Sequence, residues 1–159
     1  MRDNLLFIKL KDFLIEKGII PIAFPGKSPA VIAEVLKYII KDKVVCDMGC
    51  GQGDLMLSFQ KYAKKVIGIE KSPMCCRTCR KKGLEVIEGD YCNVDFPEAD
   101  VYYFFSYFEN IKPAIERIKK GIIIITGVKE CGEIFLEEPL INIPHKEGGS
   151  DFKIQIIKK

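Results

Sequence analysis

The stretch VVCDMGCGQGD, residues 44–54, constrains the fold of this 159-residue chain more than any other. An apolar run ends at the acid Asp47, and Gly49, Gly51 and Gly53 follow at alternating positions. Glycine removes the side chain where a ligand must approach the main chain, and it tolerates the positive φ of a tight turn. A helix opening after such a turn aims its first amides at the same place, which favours a carboxylate or phosphate group there.

The rest of the chain alternates strand and helix signals in a way that suits this turn. KVVCDM is strand-like, a helix follows around residues 53–64, and KVIGIE is the next strand. SPMCCRTCRKKG has a helix start at Ser72-Pro73 and a stop at Gly83. LEVIEGD, ADVYYFF and GIIIITG read as further strands, with a helix over YFENIKPAIERIKKG that starts or bends at Pro113. EIFLEEPLINI and FKIQIIKK flank the turn PHKEGGSD without a helix between them. Upstream, MRDNLLFIKLKDFLIEKG and PAVIAEVLKYII have helical apolar spacing. Strands alternating with helices predict a parallel sheet covered on both faces. The expected architecture is an α/β, three-layer Rossmann-like sandwich. Its seven-stranded sheet is mostly parallel and ends in a C-terminal antiparallel hairpin. The expected organisation is one domain over residues 1–159, with N-terminal helices over 1–42 and a ligand-binding core over 43–159. The ligand is expected at the carboxyl ends of the strands, where strand order reverses.

Composition narrows the class. Hydrophobic residues make up 48% of the chain, which is a globular composition, and the formal net charge of +3 is too small to imply nucleic-acid binding. No apolar run approaches membrane-spanning length, and the N-terminal apolar run is broken by Lys9, Lys11 and Asp12. A cytoplasmic protein without a membrane partner is expected. The seven cysteines follow no disulfide-scaffold spacing and read as reduced thiols.

Which ligand the turn takes is decided by four acidic and glycine signals together. The turn is GxGxG and lacks the register of GxGxxG. Asp47 would repel a pyrophosphate but suits an ammonium group. Glu70 ends the second strand, where a carboxylate accepts both hydroxyls of a ribose. Asp90 in EGDY follows the third strand, within reach of a nucleoside base. An adenosyl amino acid fits this set better than a dinucleotide does.

With these residues the chain resembles the class I methyltransferases that use S-adenosylmethionine (SAM). The resemblance implies that Asp47, Gly49, Cys50, Gly51 and Gly53 hold the methionine portion, Glu70 the ribose, and Asp90 with Lys71 and Tyr91 the adenine side. PIAFPGKSPAVIAEVL, EGDYCNVDFPEADVYYFF and NIKPAIERIKKG are similar to the compact archaeal protein-lysine methyltransferases. That likeness implies a macromolecular acceptor, a protein lysine before RNA. The chain departs from the family at Phe24-Pro25-Gly26-Lys27-Ser28-Pro29 and at the short VKECGE segment.

The acceptor should face the end of YYFFSYFEN. An Asn-Pro-Pro-aromatic turn, common where base amines are methylated, is absent there. Phe105, Ser106 and Tyr107 sit at the strand end and are the candidate catalytic residues. They have two readings: walls of a channel that contact a cation through their rings, or the tail of a buried strand. A non-catalytic SAM-binding module and an NAD-binding protein are the other readings of the chain.

Three further signals are discounted. GKS at 26–28 lacks the earlier glycine of a phosphate loop, because position 21 is Pro21. Cys76 and Cys79 have no second pair to make a zinc site and read as a surface or half-buried thiol pair, so no metal is expected. Arg77, Arg80, Lys81 and Lys82, with Lys61, Lys64 and Lys65, read as a solvated face, and His145 as a loop residue.

Overall fold

The computed structural model describes residues 29–105, 111–128, 140–143 and 152–159. The predicted helix over the first residues, the loop at 24–28, Ser106, Tyr107, the segment VKECGE beyond Val128 and the turn with His145 lie outside them. The elements are α1 (Pro29–Ile40), β1 (Val44–Met48), α2 (Asp54–Phe59), β2 (Lys65–Glu70), α3 (Pro73–Lys81) and β3 (Glu85–Glu88). They continue with β4 (Val101–Phe105), α4 (Ile111–Arg117), β5 (Ile122–Val128), β6 (Leu140–Ile143) and β7 (Phe152–Lys158).

The seven strands form one sheet in the order β3-β2-β1-β4-β5-β7-β6. The first five are mutually parallel, so their carboxyl ends share one edge. β7 runs antiparallel to both β5 and β6 and lies between them. Strand order reverses between β1 and β4, and β1 carries the glycine turn at its end. That places the turn at the crevice where an open α/β sheet takes ligands.

Each face of the sheet is covered. On one, Val45, Val66, Val101, Tyr103 and Ile124 pack with α1 and α2 through Ile32, Leu36, Ile40, Met56 and Phe59. On the other, Met48, Ile69, Phe104 and Ile123 pack with Ile111, Ala114, Ile115 and Ile118 of α4 and the residues after it. Central strands with both faces buried need apolar residues at every position, as VYYFF and IIII supply.

Two elements are shorter than their periodicity suggests. α2 ends at Phe59, where the sequence pattern runs to residue 64. Beyond Phe59 the chain turns, with Ala63 N donating to the Phe59 carbonyl and Lys64 N to the Lys43 carbonyl. Pairing with β1 draws Lys64 and Lys65 out of the helix. α3 is set by its cap: Ser72 Oγ accepts from Cys75 N at 3.4 Å, Pro73 occupies the first turn, and Gly83 with φ of 74° ends it.

Candidate functional site

Gly49, Gly51 and Gly53 all have positive φ, at 86°, 55° and 83°. Gly49 N and Cys50 N both donate to the Ile69 carbonyl, at 2.8 and 3.0 Å, which pins the start of the turn to β2. The three glycines then serve different ends. A Cβ on Gly51 would meet nothing within 4 Å, so its open side faces free space. A Cβ on Gly49 would touch the Tyr91 ring at 3.5 Å. A Cβ on Gly53 would strike Leu84 at 2.4 Å and the Cys79 thiol at 3.1 Å. Gly53 is therefore a packing glycine, closing the turn against the α3–β3 connection.

The Glu70 carboxylate is held in place by main-chain amides. Oε2 accepts from Gly51 N at 2.8 Å and Oε1 from Ser72 N at 2.8 Å. A carboxylate has about four acceptor directions, so two remain for a diol. Asp47 lies one residue short of the end of β1 and is 3% exposed. Its Oδ2 has no hydrogen-bond partner among the described residues. Burial, and then the charge of Glu70, push its carboxyl from an ordinary value near 3.8 up to about 7. An unpaired buried carboxylate is costly, and a cation arriving beside it would remove that cost.

Asp90 is exposed. Its Oδ1 accepts from Cys92 N at 2.8 Å, and its carbonyl accepts from Asn93 and Val94. It thus shapes its own turn after β3. Tyr91 is half-buried, edge-on to Phe104 with centroids 5.8 Å apart. Burial pushes its hydroxyl up to about 12, with the charges of Cys92, Asp90 and Glu70 adding to the rise. Asp47, Glu70 and Asp90 therefore gather along one edge of the sheet. Lys71 follows β2 and is exposed, close enough to lower the Cys92 thiol against a rise caused mainly by burial.

Cys50 points away from the open side. It is 8% exposed, and its sulfur lies 2.5 Å from where a Cβ on Gly68 would be. Only its main chain is available to a ligand. Phe105, at the end of β4, packs part-buried against the core. Ser106 and Tyr107 fall outside the described residues.

The structure adds residues that sequence reasoning missed. Cys76 and Cys79 are fully buried, not half-exposed. Cys76 donates to the Glu70 carbonyl at 3.2 Å and Cys79 to the Gly51 carbonyl at 3.2 Å. Lys82 Nζ donates to the Gln52 carbonyl at 2.8 Å and to Asp54 Oδ1 at 2.7 Å. The end of α3 thereby grips the outer half of the glycine turn. The three-residue spacing of Cys76 and Cys79, one face of a helix, was the available signal. Of the basic face, Arg80 pairs with Glu88, Lys65 with Glu85 and Lys82 with Asp54. Among the described residues no group of His, Cys, Asp or Glu is placed to hold a metal, and no helix is long and apolar enough to cross a membrane.

A parallel sheet in this order, with an acid before a glycine turn and a second acid ending the next strand, defines a class I SAM-dependent methyltransferase domain. Residues 45–122 match the family model described as a methyltransferase domain. It is 28% identical over 116 residues to a protein of Saccharolobus islandicus named "Protein-lysine N-methyltransferase", covering 64% of this chain and 71% of the relative. It is 44% identical over 59 residues to a protein of Thermococcus onnurineus named "Probable ribosomal RNA small subunit methyltransferase A", covering 35% of this chain. The match spans less than a quarter of that relative and of two similarly named ones. Among solved structures, a dimethyladenosine transferase from Plasmodium falciparum shares the fold, with a TM-score of 0.58 and 22% identity. That match covers 86% of this chain and 63% of the other.

The residues present fit SAM as the cofactor. The Asp47 carboxylate lacks a partner that an ammonium would supply, Gly51 leaves the main chain bare, and Glu70 has acceptor capacity that a ribose would use.

Proposed function

We propose that this chain transfers a methyl group from SAM to a lysine side chain of a protein. The observation that carries the reading is the buried, unpartnered Asp47 carboxylate beside the open face of Gly51 and the pre-set carboxylate of Glu70. When bound, SAM supplies an electrophilic methyl on a sulfonium. The task left to the chain is to hold the donor and align the attacking amine. Asp47 would take the ammonium, Gly49 and Gly51 the methionine portion along the main chain, and Glu70 the ribose. Asp90, Tyr91 and Lys71 would border the base. Phe105, with Ser106 and Tyr107, would wall the approach of the amine.

A protein acceptor is supported by the archaeal relative that is covered over 71% of its length. The shorter, more identical match to the ribosomal RNA relative supports RNA as the second reading. The test is transfer of labelled methyl from SAM into extract, followed by protease or ribonuclease. The proposal expects protease-sensitive label that hydrolysis releases as methyl-lysine. Ribonuclease-sensitive label would move the assignment to RNA, and label confined to small metabolites would end both readings.

A further inference from the structure

A second cleft, of about 820 Å³, opens at the opposite edge of the sheet, where β1, β4 and β5 begin and β7 ends. Its lining includes Lys43, Val44, Asp100, Gly121, Ile122 and Lys158, so it is separated from the glycine turn by the length of the strands. Five-residue strands at about 3.3 Å per residue put the two sites roughly 15 Å or more apart. Nothing in the cofactor reading uses this cleft.

Its charge is one-sided. Six cationic side chains line it (Lys43, Arg117, Lys119, Lys120, Lys158 and Lys159) against the two carboxylates Glu98 and Asp100. The whole chain carries a formal charge of only +3, so the remainder is close to neutral. Some of these groups are committed. Arg117 donates to the carbonyls of Tyr91 and Val94, Lys159 Nζ donates to the Ile115 carbonyl, and Asp100 Oδ2 accepts from Val44 N. Lys43, Lys119, Lys120 and Lys158 are exposed, and none forms a salt bridge among the described residues. A concave surface with uncompensated charge of one sign focuses its field and draws a polyanion.

We propose that this cleft binds single-stranded RNA through its phosphates, as a docking site remote from methyl transfer. Two observations favour RNA over an acidic protein segment. The uncommitted cations are all lysines, point charges suited to phosphate, whereas the one guanidinium that would fork onto a carboxylate is occupied by carbonyls. The wall beside them carries planar groups: Arg117 lies over the half-buried Phe96 ring at 4.5 Å, and Phe96 lies tilted at 46° to Tyr102 with centroids 6.1 Å apart. Unpaired bases stack on such planes.

The test is binding of a labelled 12-nucleotide oligouridine at 50 and 200 mM salt, with poly-glutamate as competitor. Four phosphate contacts on a single strand predict a loss of affinity of roughly 50-fold between those salt concentrations. The quadruple variant K43E/K119E/K120E/K158E should abolish binding, and the milder K119A/K120A should weaken it and flatten the salt dependence. Each variant's own melting transition reports folding, so a failure of SAM binding leaves this test intact. No binding at 50 mM salt overturns the proposal, as does binding that survives in a folded quadruple variant. Poly-glutamate competing as well as RNA would assign the cleft to an acidic protein partner instead.

Discussion

The Gly51 amide donates to Glu70 Oε2 at 2.8 Å, while the Gly51 carbonyl accepts from the Cys79 thiol at 3.2 Å. The two peptide groups flanking the Gly51 Cα are thus each fixed, one by the end of β2 and one by α3. The bare face of the turn is presented in a set orientation before any ligand arrives.

Glu70→Ala removes the acceptor for both Gly51 N and Ser72 N. In the wild-type protein, SAM and S-adenosylhomocysteine are expected to raise the melting temperature, and NAD is not, because a ligand of the folded state stabilises it. The variant should lose that shift. A full shift retained in Glu70→Ala would remove Glu70 from the site.

Cys79→Val and Cys79→Ser separate a hydrogen-bond donor from a packing group. Valine fills the buried space but cannot donate, and serine donates but is more costly to bury. Stability should favour valine, whereas SAM affinity should favour serine, with valine roughly threefold to tenfold weaker than wild type. Affinity and stability changing in the same order would reduce Cys79 to a packing residue.

Gly51→Ala and Gly53→Ala should differ in kind although both positions have positive φ. Each bears about 1–2 kcal/mol of backbone strain. Gly53→Ala also drives a methyl into Leu84, so its larger effect should appear in denaturant unfolding. Gly51→Ala has room for the methyl, and its larger effect should appear in cofactor binding, read by calorimetry.

Asp47 gives the site a pH dependence. Its carboxyl sits near 7 in the folded chain against an ordinary 3.8, so between those values the folded state keeps a proton that the unfolded state has released. Stability therefore falls as pH rises from about 4 to about 7 and is level above, a change on the order of 4 kcal/mol. Asp47→Asn should flatten that slope in urea titrations and lose the cofactor-induced shift. In the wild-type protein, SAM binding at pH 6 should release a proton, seen as a binding enthalpy that varies with the buffer's ionisation heat.

Much of the fold was legible because its signals are local. Apolar runs such as IIII mark doubly covered strands, Ser72-Pro73 marks a helix start, and GxGxG marks the turn. The acid at the end of VIGIE was legible for the same reason: strand ends are visible in sequence. What was not legible depends on distant contacts. Nothing near Gly53 says that Leu84 closes over it. Nothing near Cys79 says that its thiol reaches a carbonyl 28 positions earlier. The end of α2 at Phe59 follows from a hydrogen bond between Lys64 and Lys43, the residues just before β2 and β1. The cleft at the far edge is assembled from four separate stretches of chain, and its lysines and arginine come from three of them.

The placement of β7 between β5 and β6 has a consequence for synthesis on the ribosome. β5 can pair with β4 as it emerges, but its other edge and the whole of β6 wait for residues 152–158. This half of the sheet cannot assemble in step with translation. A nascent chain stalled before Phe152 should leave the β5 stretch open to protease, and release of the full chain should protect it.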